Sequence, residues 1–189
     1  MSSMRSASVV AIAPAGRWMV DPARSNVQFS VRHVIGTLRG RFTDFEGVLE
    51  VDEDGVARAA GSVKAASINT NEPVRDGHLR DSPEFFDVER HPEITFSSMH
   101  VEHSDHGMPR VLGELTMLGV TRELALSVEN HSALGDAQGE GAIALQLQGE
   151  LNRKQFGLAW NQVMEAGGAL VGDRVKIALE ILAVRADPQ

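Results

Sequence analysis

The densest run of side chains able to do chemistry is Arg75, Asp76, His78, Arg80, Asp81 and Asp87. In one reading His78 is a general acid or base, oriented by Asp76 or Asp87. No nucleophile or metal-ligand set accompanies it, which weakens that reading. In a second, Arg75 and the carboxylates pin an irregular crossover by satisfying its polar groups. In a third, the cluster sits at the mouth of a cavity and meets a polar head group. Structural pinning is favoured among the three.

Two other histidine contexts have blander explanations. His100-x-x-His103-x-x-His106, with Glu102 and Asp105, has the composition of a metal site. Its spacing is wrong for one, because residues i and i+3 of a strand face opposite ways, and it reads as a solvated loop. His33 shares an apolar alternation with Val27, Phe29 and Val31. A neutral imidazole there needs only two partners, so it reads as a core or rim histidine. No metal and no cofactor is expected.

The common catalytic signatures are missing. There is no P-loop, no Gly-rich dinucleotide fingerprint and no Gly-x-Ser-x-Gly elbow. With no cysteine, disulfides, thiolate zinc sites and cysteine nucleophiles are excluded. The formal net charge is -8, and no basic run shows along the chain. Neither nucleic acid nor an anionic membrane surface is therefore an expected partner. No apolar run approaches the length of a transmembrane helix. Near the start, the apolar stretch around Val9 to Ala13 is shorter than a secretory signal requires.

The elements that must carry these residues are mostly strands. Period-two alternation recurs over Asn26–His33, Glu46–Asp52, Arg58–Ile68, Glu93–Glu102, Arg110–Leu118, Arg122–Glu129, Ala142–Leu151 and Asp173–Val184. Asp52-Glu53-Asp54-Gly55, Ser104-Asp105-His106-Gly107 and Leu118-Gly119-Val120-Thr121 supply turns between them. The stretch from Asn71 to Asp87 lacks alternation and reads as one or two helical turns. Asp81 or Ser82 is placed to cap the second, with Pro83 at its first position. Eight antiparallel strands close into a barrel or stack as a sandwich, and alternation alone leaves both open. Seven Phe, two Trp and no Tyr are few bulky rings to fill a barrel, which is consistent with a hollow interior.

Several blocks, in order, resemble the YceI-like family of polyisoprenoid-binding, lipocalin-like barrels. They are Trp18-x-Val20-Asp21-Pro22-x-x-Ser25-x-Val27-x-Phe29-x-Val31-x-His33; Arg39-Gly40-x-Phe42-x-x-Phe45-x-Gly47; and Ser67-Ile68-x-Thr70 with Arg75-Asp76-x-His78-Leu79 and Phe85-Phe86-Asp87. Pro92-x-Ile94-x-Phe96-x-Ser98 and Gly113-x-Leu115-Thr116-x-x-Gly119-Val120-Thr121 continue the match. Asn152-Arg153-x-x-Phe156-Gly157-Leu158-x-Trp160 and Val171-Gly172-Asp173-x-Val175-x-Ile177 complete it.

The resemblance implies an all-β fold, an extended eight-stranded antiparallel barrel over residues 17–186 behind an extension at 1–16, with a helical crossover around 71–87. It implies a long pore holding an isoprenoid chain, such as a polyprenyl quinone, its precursor or a similar amphiphile. It implies no catalytic residues, and pairing into a homodimer is a further expectation. The expected pore and lid residues are Val27, Phe29, Val31, Phe42, Phe45, Phe85, Phe86, Ile94, Phe96, Leu115, Met117, Phe156 and Trp160. His33, Arg75, Asp76, His78 and Asp87 are the polar set, either meeting a head group or serving structure. A cytoplasmic location is expected from the short apolar leader, against the periplasmic habit of many relatives. The rival functions are a lipid-modifying enzyme working at Arg75, Asp76, His78 and Asp87, and an interaction or stress protein with a packed barrel.

Overall fold

The computed structural model describes residues 12–103, 108–135, 141–160 and 171–186. Among these, the strands are β1 (Gly16–Val20), β2 (Asn26–His33), β3 (Gly36–Phe42), β4 (Phe45–Val51), β5 (Ala57–Lys64), β6 (Ile68–Asn69), β7 (Glu93–Glu102), β8 (Arg110–Met117), β9 (Val120–Leu134), β10 (Ala142–Asn152) and β11 (Val171–Arg185). One α-helix, α1 (Pro73–Asp81), lies between β6 and β7. The strands pair antiparallel in the order β1-β4-β5-β7-β8-β9-β10-β11, and β11 returns to β1 through Trp18↔Arg185 and Val20↔Ala183. That return closes a barrel and rules out the sandwich.

Eleven segments make eight strand positions because three of the positions are broken. β1 and β2 both run along β11, separated by a single 3₁₀ turn at Pro22–Arg24. β3 and β4 form the next position, broken at Thr43 and Asp44. β5 and β6 form the third, broken by a 3₁₀ turn at Ala65–Ser67. Each predicted strand therefore corresponds to one position, but at three positions it covers only part of the chain in the wall.

Each break is built from turn chemistry. Asp21 accepts the Ala23 N–H at 3.0 Å and the Arg24 Nε–H at 2.7 Å, and the side-chain bond to Arg24 holds its carboxyl below the usual range. Ser67 Oγ donates to the Lys64 carbonyl at 2.7 Å, and Thr43 N–H reaches the Ser67 carbonyl at 3.2 Å. This last bond places the second and third breaks side by side.

Alternation sorts the side chains as the pleat requires. On β11 Val175, Ile177, Leu179, Ile181 and Ala183 face inward, and on β10 Ile143, Leu145, Leu147 and Leu151 do. One end of the barrel is filled by Trp18 and Ile12, both buried. The Trp18 indole N–H donates to the Pro14 carbonyl at 3.0 Å, and the Arg185 guanidinium lies 4.7 Å from its ring centroid. At the opposite end lie the β2–β3 turn, the Arg153–Phe156 turn and α1.

α1 begins at Pro73, well before Asp81 or Ser82, the caps predicted for a second helical turn. Glu72 caps it, accepting N–H bonds from Val74 at 3.2 Å and Arg75 at 2.6 Å, and Pro73 takes the first position, where no N–H is needed. Ser82 ends this helix rather than starting a second one; its N–H bonds to the His78 carbonyl. Pro83 to Phe86 form turns instead of helix. Replacing Trp18 with Ala is expected to cost about 3–5 kcal/mol, because it empties the filled end. Urea unfolding of both proteins measures the difference, and a change under 1 kcal/mol on the order of surface substitutions would contradict this packing role.

Candidate functional site: an apolar lumen with a polar mouth

The barrel encloses a cavity of about 530 Å³. That volume lies in the range of about 300–1,000 Å³ usual for small-molecule sites. Eleven residue pairs join β10 to β11, from Asn152↔Arg174 to Ala142↔Val184. At about 3.4 Å per residue and the tilt of an eight-stranded barrel, the wall is about 25 Å tall.

The structure puts every expected pore and lid residue except Phe156 on the cavity wall: Val27, Phe29, Val31, Phe42, Phe45, Phe85, Phe86, Ile94, Phe96, Leu115, Met117 and Trp160. Phe156 instead packs inside the hydrophobic core, 2% exposed, at the end of its 3₁₀ turn. Its place on that turn, outside any alternating strand, is what hid this from the sequence. Wall residues not picked out from the sequence include Leu38, Val128, Leu145, Leu147, Leu151, Ile177 and Leu179. Their signal was present, since each occupies an inward position of an alternating strand.

The large rings leave the lumen open because glycines stand beside them. Phe29 lies over Gly40, its cross-strand partner, and a Cβ on Gly40 would fall 2.3 Å from Phe29 Cζ. Phe96 does the same over Gly113, where a Cβ would fall 2.5 Å from Phe96 Cζ. The rings thus lie against the wall instead of crossing the lumen. Phe29 and Phe42 stand 5.6 Å apart, and Phe42 meets Phe86 edge-on at 6.1 Å, carrying the aromatic lining up to the segment after α1.

Of the polar residues of the wall, His33, Arg75, His78 and Arg153 gather at the α1 end, while Gln28, Glu46, Ser62 and Thr95 touch the cavity from β2, β4, β5 and β7. His33 pairs in register with Val171. The Arg153 guanidinium, only 6% exposed, donates to the carbonyls of Gly172 at 2.8 Å, Trp160 at 2.8 Å and Val171 at 3.3 Å, and also to Leu158. Burial pushes its pKa down, and Asp173, 3.8 Å away, opposes that shift. Trp160 stands 5.3 Å from Phe85, which meets His78 edge-on at 5.2 Å. A rim therefore runs from His33 through Arg153, Trp160 and Phe85 to His78, with Arg75 also on the wall. Glu46 touches the cavity margin, but its exposed side chain points outward to Ser62 Oγ at 3.4 Å. Arg153 was not singled out from the sequence, where a lone Arg beside a turn looks like a surface residue.

The polar cluster divides in two. Asp76 is buried and off the cavity wall; it accepts the Thr70 N–H at 2.9 Å and the Thr70 hydroxyl. Arg75 closes the clamp, donating from Nε to Thr70 Oγ1 at 2.8 Å and from Nη2 to the Thr70 carbonyl at 2.9 Å. Asp87 is also away from the wall. It sits at φ 41°, its carbonyl accepts the N–H groups of Arg90 and His91, and its carboxylate lies 3.8 Å from Arg90 Nε. Asp76 and Asp87 therefore shape the crossover, while Arg75 and His78 reach the cavity. Neither carboxylate is bonded to His78. In the histidine-rich hairpin, His100 Nε2 lies 3.7 Å from Glu102, and His106 lies outside the described residues.

The fold and the site define a closed antiparallel barrel of eight strand positions with a largely apolar lumen and a polar rim. The chain belongs to the YceI-like family, whose domain model matches residues 18–183. A UPF0312 protein of Staphylococcus aureus strain USA300 is 31% identical over 160 residues, covering 82% of this chain and 90% of that protein. Among solved structures, BcnA of Burkholderia cenocepacia superposes with a TM-score of 0.69 at 19% identity, over 86% of this chain and 98% of that one. A polyisoprenoid binding domain from Saccharophagus degradans gives 0.62 at 16% identity, over 89% and 98%. At these identities the two structures establish the shared barrel.

The ring-over-glycine contacts are open to a double-mutant cycle. Gly40→Ala is expected to destabilise by about 1–3 kcal/mol through overpacking against Phe29. Shortening the ring in the Phe29→Leu, Gly40→Ala double variant should recover part of that loss, giving a coupling of about 0.5–3 kcal/mol. Strict additivity of the two changes in urea unfolding would show that the contact does not constrain the wall.

Proposed function

We infer that this protein binds and carries an isoprenoid lipid, with the chain in the lumen and the head group at the His33, Arg75, His78 and Arg153 rim. The observation that carries this reading is the open-mouthed cavity of about 530 Å³, whose wall is mostly apolar and carries His33, Arg75, His78 and Arg153 at its α1 end. Such a shape suits a long apolar molecule with a single polar terminus. Membership of the YceI-like family supports lipid binding, as does the likeness to a barrel known as a polyisoprenoid binding domain. A polyprenyl quinone or its precursor is the ligand class proposed.

The energetics favour a chain over a compact ligand. Each buried CH₂ contributes about 0.8 kcal/mol, so affinity grows with the number of carbons inside the barrel. Ordering of a flexible chain and loss of its free motion offset much of that gain. Lumen depth then selects chain length, and the rim selects head group.

Two measurements test the reading. Mass spectrometry of an organic extract of the purified protein is expected to show a prenyl lipid, and titration with a prenyl quinone in detergent is expected to saturate. Ile177→Trp, which places a bulky ring in mid-lumen, is expected to weaken that binding by about tenfold or more while leaving the far-UV circular dichroism unchanged. If no lipid is extracted and no titration saturates, the carrier function is wrong.

A further inference from the structure

The outer face of the β2–β3 hairpin differs from the rest of an acidic protein. Val27, Phe29, Val31 and His33 of β2 face the lumen with Leu38 and Phe42 of β3, so the residues between them face outward. Those outward residues include Arg32, Arg39 and Arg41, and the hairpin from Asn26 to Phe42 contains no Asp or Glu. Among the described residues, none of the three arginines is held in an ion pair. Arg39 lies across from Ser30, whose neighbour on the other side is Lys176 of β11. Of the nearby acidic groups on β10 and β11, Glu150 is paired with Arg174 at 2.8 Å and Asp173 with Lys154 at 3.1 Å, while Glu180 accepts from the neutral Asn26 amide at 3.1 Å and keeps its charge. No basic run was visible along the chain because the patch is assembled from separate strands, each with an intervening inward residue. The sequence speaks against an anionic surface only through its lack of a basic run, which does not bear on a patch assembled across two strands.

At the tip of the same hairpin, Val34 and Ile35 project into solvent, with Ile35 91% exposed and Val34 46%. Isolated exposed aliphatics are ordinary, but these cap an arginine-bearing hairpin beside the mouth. Val74, in the first turn of the helix that borders the mouth, is 81% exposed. An apolar tip backed by unpaired cations is the arrangement that enters the head-group region of an anionic bilayer: the aliphatic side chains bury in the acyl boundary and the cations meet lipid phosphates.

We propose that the β2–β3 hairpin docks this barrel, mouth first, on an anionic phospholipid membrane, with Ile35 as the inserted side chain and Arg32, Arg39 and Arg41 as the phosphate contacts. This goes beyond the carrier reading and is separable from it. It also gives the lumen a source of lipid, because the hairpin forms part of the mouth through His33.

Sedimentation of the full chain with vesicles tests it. Vesicles of phosphatidylcholine with phosphatidylglycerol are expected to bind the protein at least about tenfold better than phosphatidylcholine alone, with the difference falling as salt rises. Ile35→Ser is expected to weaken binding by about tenfold. Arg39→Gln is expected to weaken it about fivefold and to flatten the salt dependence. Both variants lie outside the lumen and should load a prenyl quinone from detergent as the parent does, which also shows that they are folded. Equal binding to the two kinds of vesicle, or an Ile35→Ser variant that binds like the parent, overturns the proposal. So does tighter binding to a single-stranded RNA oligomer than to the anionic vesicles, which would assign the patch to nucleic acid. Vesicle binding without quinone loading would sink the carrier reading and leave the docking intact; loading without vesicle binding would do the reverse.

Discussion

β11 is the seam on which the container depends. Its fifteen residues pair with β10 along one edge and with both β2 and β1 along the other. Without the last of these ladders, the sheet would have two free edges and an exposed apolar face. With it, the inward Val, Ile and Leu of the wall are turned away from bulk solvent, to the core or the lumen. Closure also fixes register, since a slip by one residue would turn the apolar set of a strand outward. The lumen, the filled Trp18 end and the polar rim all inherit their positions from this pairing.

The architecture was legible where alternation was strong. Asn26–His33, Glu93–Glu102 and Arg110–Leu118 lie within a residue of the observed strands. β3 was harder to see, because two of its inward positions are Gly36 and Gly40 and only Leu38 and Phe42 carry the apolar signal. β6 is two residues long, too short for any period. β9 runs on to Leu134, beyond the predicted end at Glu129, because the register shifts there: Val128 pairs with Leu147 but Asn130 with Gln146, which breaks the alternation that marked the strand. The breaks within strand positions are set by contacts between neighbouring strands, such as Thr43 with Ser67, and pairing of that kind leaves little trace in one segment alone.

The site was legible in its apolar part and less so in its polar part. Phe29, Phe42, Phe86 and Phe96 could be assigned inward by parity or by place in the crossover. The roles of Asp76 and Arg75 depend on where Thr70 falls, three-dimensional information that the spacing leaves open. Their clamp satisfies a buried backbone N–H and a buried carboxylate together, so Asp76, and Arg75 through Nε and Nη2, hold the crossover. Arg153 shows the opposite case. A residue unremarkable in sequence is buried and ties the carbonyls of Leu158 and Trp160 to those of Val171 and Gly172.

The interruptions at Pro22–Arg24, Thr43–Asp44 and Ala65–Ser67 fall on neighbouring strand positions. Over that third of the circumference, no hydrogen-bonded ladder runs unbroken from the Trp18 end to the mouth. The barrel is mechanically two tiers joined by its continuous strands, with the lower tier tightly packed and the upper one built from β2, β3, β6 and α1. A bulky guest that spreads the upper tier can do so by flexing short turns, without unzipping the ladders that seal the floor. Compliance is thus concentrated at the mouth, and rigidity at the Trp18 end.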